Sequence, residues 1–267
     1  MDAQLAWLAM WVANRLGAIV TKTITPEIRE AVMRAAAKRH IPAVAHIYDE
    51  ADFLHLAGLG LTDFLHTVRD KEPMDEAFLD LCRSKGISFA PTLSVIERNW
   101  FFAEHPELLN DPEIRAALEP GILADVERPE TRQRMLDNPD LAKLKEELRR
   151  AQRFVKQMAD NGVTLVLGSD SGAGAIPPGW GSHHEMQLMV EAGLSPMDVI
   201  QIATRHGAER LGNKNFGVIA EGKIADLLLL GANPLEDISN TRKIDRVMQA
   251  GKWLDPGAWN GPQERDQ

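Results

Sequence analysis

Two short stretches, Ile41-Pro-Ala-Val-Ala-His46 and Leu61-Thr-Asp-Phe-Leu-His66, carry the pattern on which the fold depends. Each is a short apolar run that ends in a histidine, and helical patterns follow at 50–57 and 74–85. A third run, Ile87-Ser-Phe-Ala-Pro-Thr92, comes after the second of these helices. Strand patterns that alternate with helix patterns are typical of parallel sheets. The stretch therefore predicts an α/β architecture with a parallel sheet.

The chain continues this alternation on either side. Thr25-Pro26-Glu27 opens a helix with an N-cap residue, a proline at the first helical position and an acid at the positive end of the helix dipole. The run at 163–168 is the most apolar strand pattern of the chain, and it leads into Ser169-Asp170. Two more helices are predicted, at 182–192 and 196–211.

Two regions depart from the alternation. Residues 94–161 are long for a connection, but an apolar stripe from Leu141 to Met158 has helical spacing and predicts helices that cover a site. After Gly217 the pattern changes and predicts short strands with a tight turn, at 223–230, 244–249 and 252–254.

Composition narrows the classes of partner. The 267 residues carry a formal net charge of −9, and no run of basic residues is longer than two, as at Arg149-Arg150. Nucleic-acid binding relies on clustered Lys and Arg, so we expect a small-molecule partner and no nucleic acid. The apolar stretch from Leu5 to Val20 is interrupted by Asn14 and Arg15, so we expect neither a signal peptide nor a membrane span.

Cys82 is the single cysteine. It rules out an internal disulfide and any zinc site with several thiolates, so a metal ion would need histidines and carboxylates. A cytoplasmic location is the default expectation, with an upstream targeting segment left open.

Three side chains stand at predicted strand ends: His46, His66 and Asp170. In a (β/α)8 barrel the carboxyl ends of all strands meet at one mouth, where catalytic groups lie. Two neutral imidazoles and a carboxylate suit Zn²⁺ or a similar divalent ion, with a position left for an activated water. Asp170 can instead accept the proton of that water. The alternative for each histidine is an ordinary hydrogen-bonded residue.

Nearby residues are candidates for substrate binding, and each has an alternative structural role. Tyr48 follows His46 closely, so its hydroxyl either reaches a substrate or packs in the core. Arg69 and Asp70 either fix a substrate carboxylate or pair with each other. His184, at the start of a helix, either faces the mouth or caps the surface.

The motifs resemble the second half of a metal hydrolase of the amidohydrolase superfamily, closest to its imidazolonepropionase-like and Xaa-Pro-dipeptidase-like branch. The resemblance rests on the ordered segments Ala45-His46, Phe64-Leu-His66, Leu167-Gly-Ser-Asp170-Ser-Gly172, His184-Glu-Met-Gln-Leu-Met-Val-Glu-Ala-Gly-Leu-Ser-Pro196 and Gly217-Val-Ile-Ala-Glu-Gly222-Lys-Ile-Ala-Asp226-Leu. It implies hydrolysis of C–N bonds in amides, cyclic amides or dipeptides. It also implies that His46, His66 and Asp170 bind metal, that Asp170 relays protons, and that His184 orients or polarises the substrate.

The sequence also departs from that family. It contains no His-x-His pair of the kind the family carries on its first strand, and Ala9 stands where many members have a metal-bridging lysine, with Lys22 as the nearby substitute. The resemblance therefore implies about strands four to eight of the barrel and one metal ion at most. It places the partial barrel at 1–216, strands of a C-terminal β-sandwich at 217–255 and a loose tail at 256–267.

Two rival hypotheses follow. A barrel with only some of its strands has open edges, so the chain is either an active hydrolase or a catalytically impaired remnant that acts as a scaffold or needs a partner chain. Open edges also favour a homo-oligomer. A flavin or nicotinamide enzyme is disfavoured because no G-x-G-x-x-G motif follows an early strand.

Overall fold

The computed structural model describes residues 18–20 and 25–255. Ala9, Lys22 and the tail at 256–267 lie outside the described residues, so what the sequence predicts for them stays a prediction.

Five parallel strands form one sheet in chain order. They are β1 (Ala18–Val20), β2 (Ala43–His46), β3 (Asp63–Leu65), β4 (Ser88–Ala90) and β5 (Thr164–Leu165). His46 lies opposite Leu65, and Leu65 lies opposite Ala90, so the carboxyl ends of β2, β3 and β4 lie side by side. The predicted α/β architecture with a parallel sheet is confirmed, whereas the assignment to particular barrel strands stays a prediction.

Three helices connect the first four strands: α1 (Pro26–Arg39), α2 (Glu50–Gly58) and α3 (Glu76–Lys85). Aspartates begin the second and third, because the side chain of Asp49 accepts the N–H of Asp52 and that of Asp75 accepts the N–H of Phe78. Gly86 ends α3 in the left-handed conformation that the sequence predicts for a C-cap.

The segment between β4 and β5 is helical. It begins with a 3-10 turn, Ser94–Asn99, and continues through α4 (Phe101–Glu104), a second 3-10 turn (Pro106–Asn110), α5 (Pro112–Ala117), α6 (Pro120–Val126), α7 (Pro129–Leu136) and α8 (Leu141–Asp160). The predicted apolar stripe of α8 packs into the core, where Ala151, Val155 and Met158 are buried.

Helices again follow β5: α9 (Trp180–Glu191), α10 (Pro196–Gln201), a π turn (Ile202–His206) and α11 (Gly207–Arg210). The sequence predicts a single helix over 196–211, and the backbone is helical without interruption from Pro196 to Arg210, with a π turn at Ile202–His206 inside it. The Thr204 hydroxyl donates to the Ile200 carbonyl over 2.7 Å in this turn.

The last strands form a separate antiparallel sheet in the order β6 (Leu227–Leu230), β7 (Ile244–Gln249) and β8 (Lys252–Trp253). The side chains of Leu228 and Leu229 are exposed and point to opposite faces, so the described residues leave each face of this sheet partly uncovered. Its origin in a β-sandwich stays a prediction.

The main core lies between the parallel sheet and its helices. Its centre is a group of aromatic rings with centroids 4.4 to 6.3 Å apart, formed by Phe53, Phe64, Phe78, Phe89 and Phe154. Full burial of each such ring contributes about 1.5–3 kcal/mol, so this cluster holds the sheet against α2, α3 and α8. In the part of the chain that the structure describes, no helix is both long and apolar enough to pass through a bilayer.

Candidate active site

Two histidines face each other at the carboxyl edge of the parallel sheet. His46 ends β2 and His66 directly follows β3, and 2.7 Å separates His46 Nδ1 from His66 Nε2. One ring must donate and the other accept, because two neutral acceptors or two protonated nitrogens would repel at this distance. The structure therefore brings together two of the three side chains that the sequence predicts to converge.

His66 is held on its other side by Thr92. Its Nδ1 lies 2.6 Å from the Thr92 hydroxyl, and both residues are buried. The pKa of His66 is lowered to about 3, mainly by burial and to a smaller extent by electrostatic interactions with His46, Arg69 and Arg98. The His66 ring is therefore neutral in the physiological range.

The backbone is strained at the same edge. His66, Thr92 and Asp170 have φ values of 71°, 52° and 53°, a left-handed region that non-glycine residues rarely adopt. Thr92 is the most unusual of these because its side chain is β-branched. Strain of this kind costs about 1–3 kcal/mol per residue and is concentrated at functional sites.

Asp170 follows β5 and is exposed. Partial desolvation raises its pKa above the ordinary value, and the nearby positive charges of His46 and Arg98 act in the opposite direction. Asp170 thus lies within electrostatic range of the histidine pair without being hydrogen-bonded into it.

Tyr48 and Arg69 form a stack beside His66. The Tyr48 ring lies nearly parallel to the His66 ring with centroids 5.0 Å apart, and the Arg69 guanidinium lies 4.6 Å from the Tyr48 ring centre. Arg69 pairs with Glu147 of α8, whereas Asp70 accepts the N–H of Glu50. The alternative in which Arg69 and Asp70 pair with each other is therefore wrong, because helix α8 brings a closer carboxylate to Arg69.

His184 is the fifth residue of α9 and is buried. Its Nε2 is 2.5 Å from a carboxylate oxygen of Glu97, and its ring packs between Phe101 and Trp180, with centroids 4.6 Å away in both cases. Burial alone would lower the pKa of His184, but the hydrogen bond and the charge of Glu97 outweigh it and raise the pKa. The structure thus places His184 against the turn after β4, and its catalytic role stays a prediction.

The neighbouring Glu185 is completely buried. Its two carboxylate oxygens accept the N–H groups of Leu93 and Ser94, each over 2.7 Å. Burial raises the pKa of Glu185 to about 7, although these two N–H groups favour the ionised form. Glu185 therefore caps the 3-10 turn that follows β4 from a different helix.

The fit to a metal ion is partial. A metal-binding histidine needs a neutral ring whose second nitrogen is fixed by a hydrogen bond, and His66 meets both conditions through Thr92. His46 Nδ1 and His66 Nε2 already share a hydrogen bond over 2.7 Å, so an ion would have to replace the shared proton before both nitrogens could bind it. Within residues 18–20 and 25–255, however, no three His, Cys, Asp or Glu side chains are grouped as metal ligands, so Asp170 as the third ligand stays a prediction.

Four residues near the site were missed by sequence reasoning: Thr92, Glu97, Arg98 and Glu185. Thr92 ends the predicted strand at 87–92, so the criterion that selected His46 and His66 was also available for it. Glu97, Arg98 and Glu185 have no such signal, because their partners lie far away in the sequence.

The comparisons with known proteins agree with this geometry. Residues 12–254 match the Amidohydrolase family. This chain belongs to the amidohydrolase family. The sequence resemblance is thereby confirmed, and the strand-end histidines occupy the edge of the sheet at which barrel enzymes hold their catalytic groups.

Individual proteins of known sequence or structure are similar to most of this chain. The ochratoxinase of Aspergillus niger is 29% identical over 248 residues, which are 91% of this chain and 44% of that protein. Its crystal structure aligns with a TM-score of 0.59 at 24% identity, over 86% of this chain and 45% of the other. A Xaa-Pro dipeptidase with bound methionine aligns with a TM-score of 0.61 at 24% identity, over 87% of this chain and 49% of the other. The chain thus spans less than half the length of these relatives.

Proposed function

We propose that this amidohydrolase-family chain hydrolyses C–N bonds in amides, cyclic amides or dipeptides. The observation that carries the proposal is the facing pair His46 and His66 at the carboxyl ends of adjacent parallel strands. Support comes from the relatives, since one is an ochratoxinase and another is a Xaa-Pro dipeptidase. Because these relatives are named as hydrolases, they support an active hydrolase rather than a catalytically impaired remnant that acts as a scaffold.

The histidine pair would hold a divalent metal ion, with Zn²⁺ as the first candidate because imidazole is among its preferred ligands. When bound, such an ion supplies an activated water. Thr92 fixes His66 in one orientation through the hydrogen bond to its Nδ1. We infer that Asp170 is the third ligand and moves toward the pair when the ion binds.

Asp170 would also accept the proton of the attacking water. A general base works best when its pKa lies near the working pH, and partial desolvation shifts the pKa of Asp170 upward, toward that range. Its exposure leaves the carboxylate accessible to a water molecule at the edge of the sheet.

The remaining predicted residues would bind the substrate. Tyr48 stacks on His66, so its ring forms one wall next to the reacting groups, and Arg69 supports that wall from behind. His184 would orient or polarise the substrate only after its Nε2 is released from the Glu97 carboxylate.

Three further expectations belong to the same proposal. The five parallel strands would be part of a (β/α)8 barrel and the antiparallel strands part of a β-sandwich. In the described chain β1 and β5 each pair with one strand only, which favours association with another chain through these edges. A cytoplasmic location stays the default.

The test is turnover and metal content of the purified protein. A dipeptide, an N-acyl amino acid and a cyclic amide are offered as substrates, and release of the amine is measured for the native chain, His46→Ala and Asp170→Ala. We expect activity to fall at least about a hundredfold in both variants, and bound metal to fall in His46→Ala. His105→Ala, which changes an exposed histidine elsewhere, should behave like the native chain. Equal activity of His46→Ala and the native chain would contradict the proposal.

A further inference from the structure

Arg98 is an exposed arginine in the 3-10 turn that follows β4. Its Nη1 donates to the Val95 carbonyl over 2.8 Å, which anchors one corner of the guanidinium. No ion pair joins Arg98 to an acidic side chain in the described part of the chain. An arginine with free donors at a site edge can bind an anion, because its planar fork matches a carboxylate.

The aliphatic part of Arg98 lies on the loop that follows β5. A Cβ atom added to Gly174 would stand 3.2 to 3.4 Å from Cδ, Cβ and Cγ of Arg98, so the side chain runs directly across this glycine. The same loop begins with Asp170. Arg98 therefore bridges the two loops that frame the candidate active site.

The turn that carries Arg98 is fixed by α9. Glu185 accepts the N–H groups of Leu93 and Ser94, and the Ser94 hydroxyl donates to the Ser169 carbonyl over 2.9 Å. The adjacent acid, Glu97, is turned away and held by His184. The Glu97 carboxylate therefore pairs with His184 and not with Arg98, and the turn that carries Arg98 is held by several hydrogen bonds.

The charge of Arg98 acts electrostatically on two of the candidate catalytic groups. Its positive charge acts to lower the pKa of both His66 and Asp170, although desolvation leaves the pKa of Asp170 raised, so the guanidinium lies near both groups. Arg69 also acts on His66, but Glu147 pairs with it. Among the described residues Arg98 is thus a cation beside the strand ends that forms no ion pair, and Asp170 is an acidic group within its electrostatic range.

We propose that Arg98 binds a carboxylate of the substrate, which makes N-acyl amino acids and dipeptides with a free carboxyl end the preferred substrates. This inference rests on the proposed function and narrows its substrate class. Bidentate hydrogen bonding to the guanidinium would hold the carboxylate at one side of the site and leave the C–N bond near His46, His66 and Asp170. Neutral amides lack the anion and gain no such contact.

Binding is measured first, because it does not depend on turnover. N-acetyl-L-phenylalanine and its amide are titrated into the native chain, Arg98→Gln, Arg98→Lys and the control Arg128→Gln by calorimetry. Arg128 is an exposed arginine distant in sequence from the strand ends. We expect Arg98→Gln to weaken binding of the carboxylate about tenfold to a hundredfold and to leave the amide unchanged. Arg98→Lys should retain part of the binding, and Arg128→Gln all of it.

Two glycine variants test the placement of the side chain. Gly174→Ala and Gly172→Ala both put a methyl group on a residue with positive φ, 70° and 92°, so both introduce backbone strain. Only the first methyl group meets Arg98, since nothing lies within 4 Å of a Cβ on Gly172. We therefore expect Gly174→Ala to lose the preference for the carboxylate and Gly172→Ala to keep it.

Turnover separates this inference from the proposed function. Hydrolysis with equal KM for the acid and amide forms of one substrate, unchanged in Arg98→Gln, would overturn the role of Arg98 and leave the hydrolase intact. Carboxylate binding that depends on Arg98, without turnover of any C–N compound, would support the anion site and count against the hydrolase. If neither compound binds the native chain, the inference is wrong.

Discussion

At the scale of single residues, the carboxyl edge of the sheet holds three non-glycine residues in the left-handed region, namely His66, Thr92 and Asp170. The folded chain tolerates this because neighbouring contacts fix each residue more strongly than the local strain opposes it. For Thr92 the compensating contact is visible, since its hydroxyl lies 2.6 Å from His66 Nδ1. This contact holds the His66 ring in the orientation in which its Nε2 faces His46.

The role of Thr92 is tested by Thr92→Ser and Thr92→Val. Valine keeps the shape and removes the hydroxyl, so we expect turnover to fall about tenfold to a hundredfold, the usual cost of losing a group that orients a catalytic histidine. Serine keeps the hydroxyl and has no β-branch, so it should retain activity and match or exceed the native stability. Steady-state kinetics and urea unfolding give the two readouts. Equal losses in both variants would contradict the orienting role.

His184 makes stability depend on pH. Its pKa in the folded state is raised above the ordinary value of 6.5, with Glu97 and Glu185 as the facing acidic groups. The stabilisation by protonated His184 is therefore fully present below pH 6.5 and is lost as the pH rises through the folded-state pKa. We expect the difference in unfolding free energy between the native chain and His184→Gln to shrink from pH 6 to pH 9.

Urea unfolding at several pH values measures this difference. His105→Gln is the control, because His105 is half-exposed and faces Glu107 over 3.5 Å in solvent, where such pairs contribute little. If the difference in unfolding free energy between the native chain and His184→Gln stays constant or grows with pH, this would be evidence against the buried ion pair.

At the scale of elements, the 3-10 turn Ser94–Asn99 depends on α9 for its start. Its first N–H groups have no partner within so short a turn, and the carboxylate of Glu185 satisfies two of them from the other element. His184 holds the other end of the turn through Glu97. Two consecutive residues of α9 thus fix both ends of the segment that presents Arg98.

Glu185→Ala tests this connection. The variant leaves two buried N–H groups without an acceptor, so we expect the unfolding free energy to fall by about 2–4 kcal/mol. Glu191→Ala, at the exposed end of the same helix, should change it by less than about 0.5 kcal/mol. Thermal and urea unfolding measure both. A small effect of Glu185→Ala would show that water or another acceptor replaces the carboxylate.

At the scale of the whole molecule, stability and chemistry lie at opposite ends of the parallel sheet. The candidate active site lies at the carboxyl ends, whereas Arg210 of α11 reaches the amino end of β3. There it pairs with Asp63, donates to the Thr62 hydroxyl over 2.5 Å and donates to the Gly86 carbonyl over 3.1 Å. Arg210 therefore ties the last helix to the sheet, far from the reacting groups.

We expect Arg210→Lys to lower the unfolding free energy by about 1–2 kcal/mol, because lysine cannot make the several directed hydrogen bonds of the guanidinium. Activity at temperatures well below unfolding should be unchanged. Arg205→Lys is the matched control, since Arg205 is exposed and lies 3.9 Å from Glu209. A loss of activity in Arg210→Lys without a loss of stability would place this residue in the site instead.

Local sequence patterns were sufficient to predict the parallel strands, the helices between them and the residues at the strand ends. The apolar runs that end at His46 and His66 predicted both strands and the proximity of the histidines, because parallel strands align their carboxyl ends. The same reasoning predicted Asp170 as a third ligand beside the pair; no group of three possible metal ligands is found among the described residues, and this role stays a prediction. It also predicted the helix over 196–211, but not the π turn at Ile202–His206 inside it.

The sequence by itself determined the alternation of strands and helices and the family, because apolar spacing and ordered motifs are properties of neighbouring residues. Only the tertiary structure decided which groups meet: Thr92 with His66, Glu97 with His184, Arg98 with Gly174, and Glu185 with Leu93, which is 92 positions away. Such contacts depend on how helices pack over the sheet, and no local pattern encodes them.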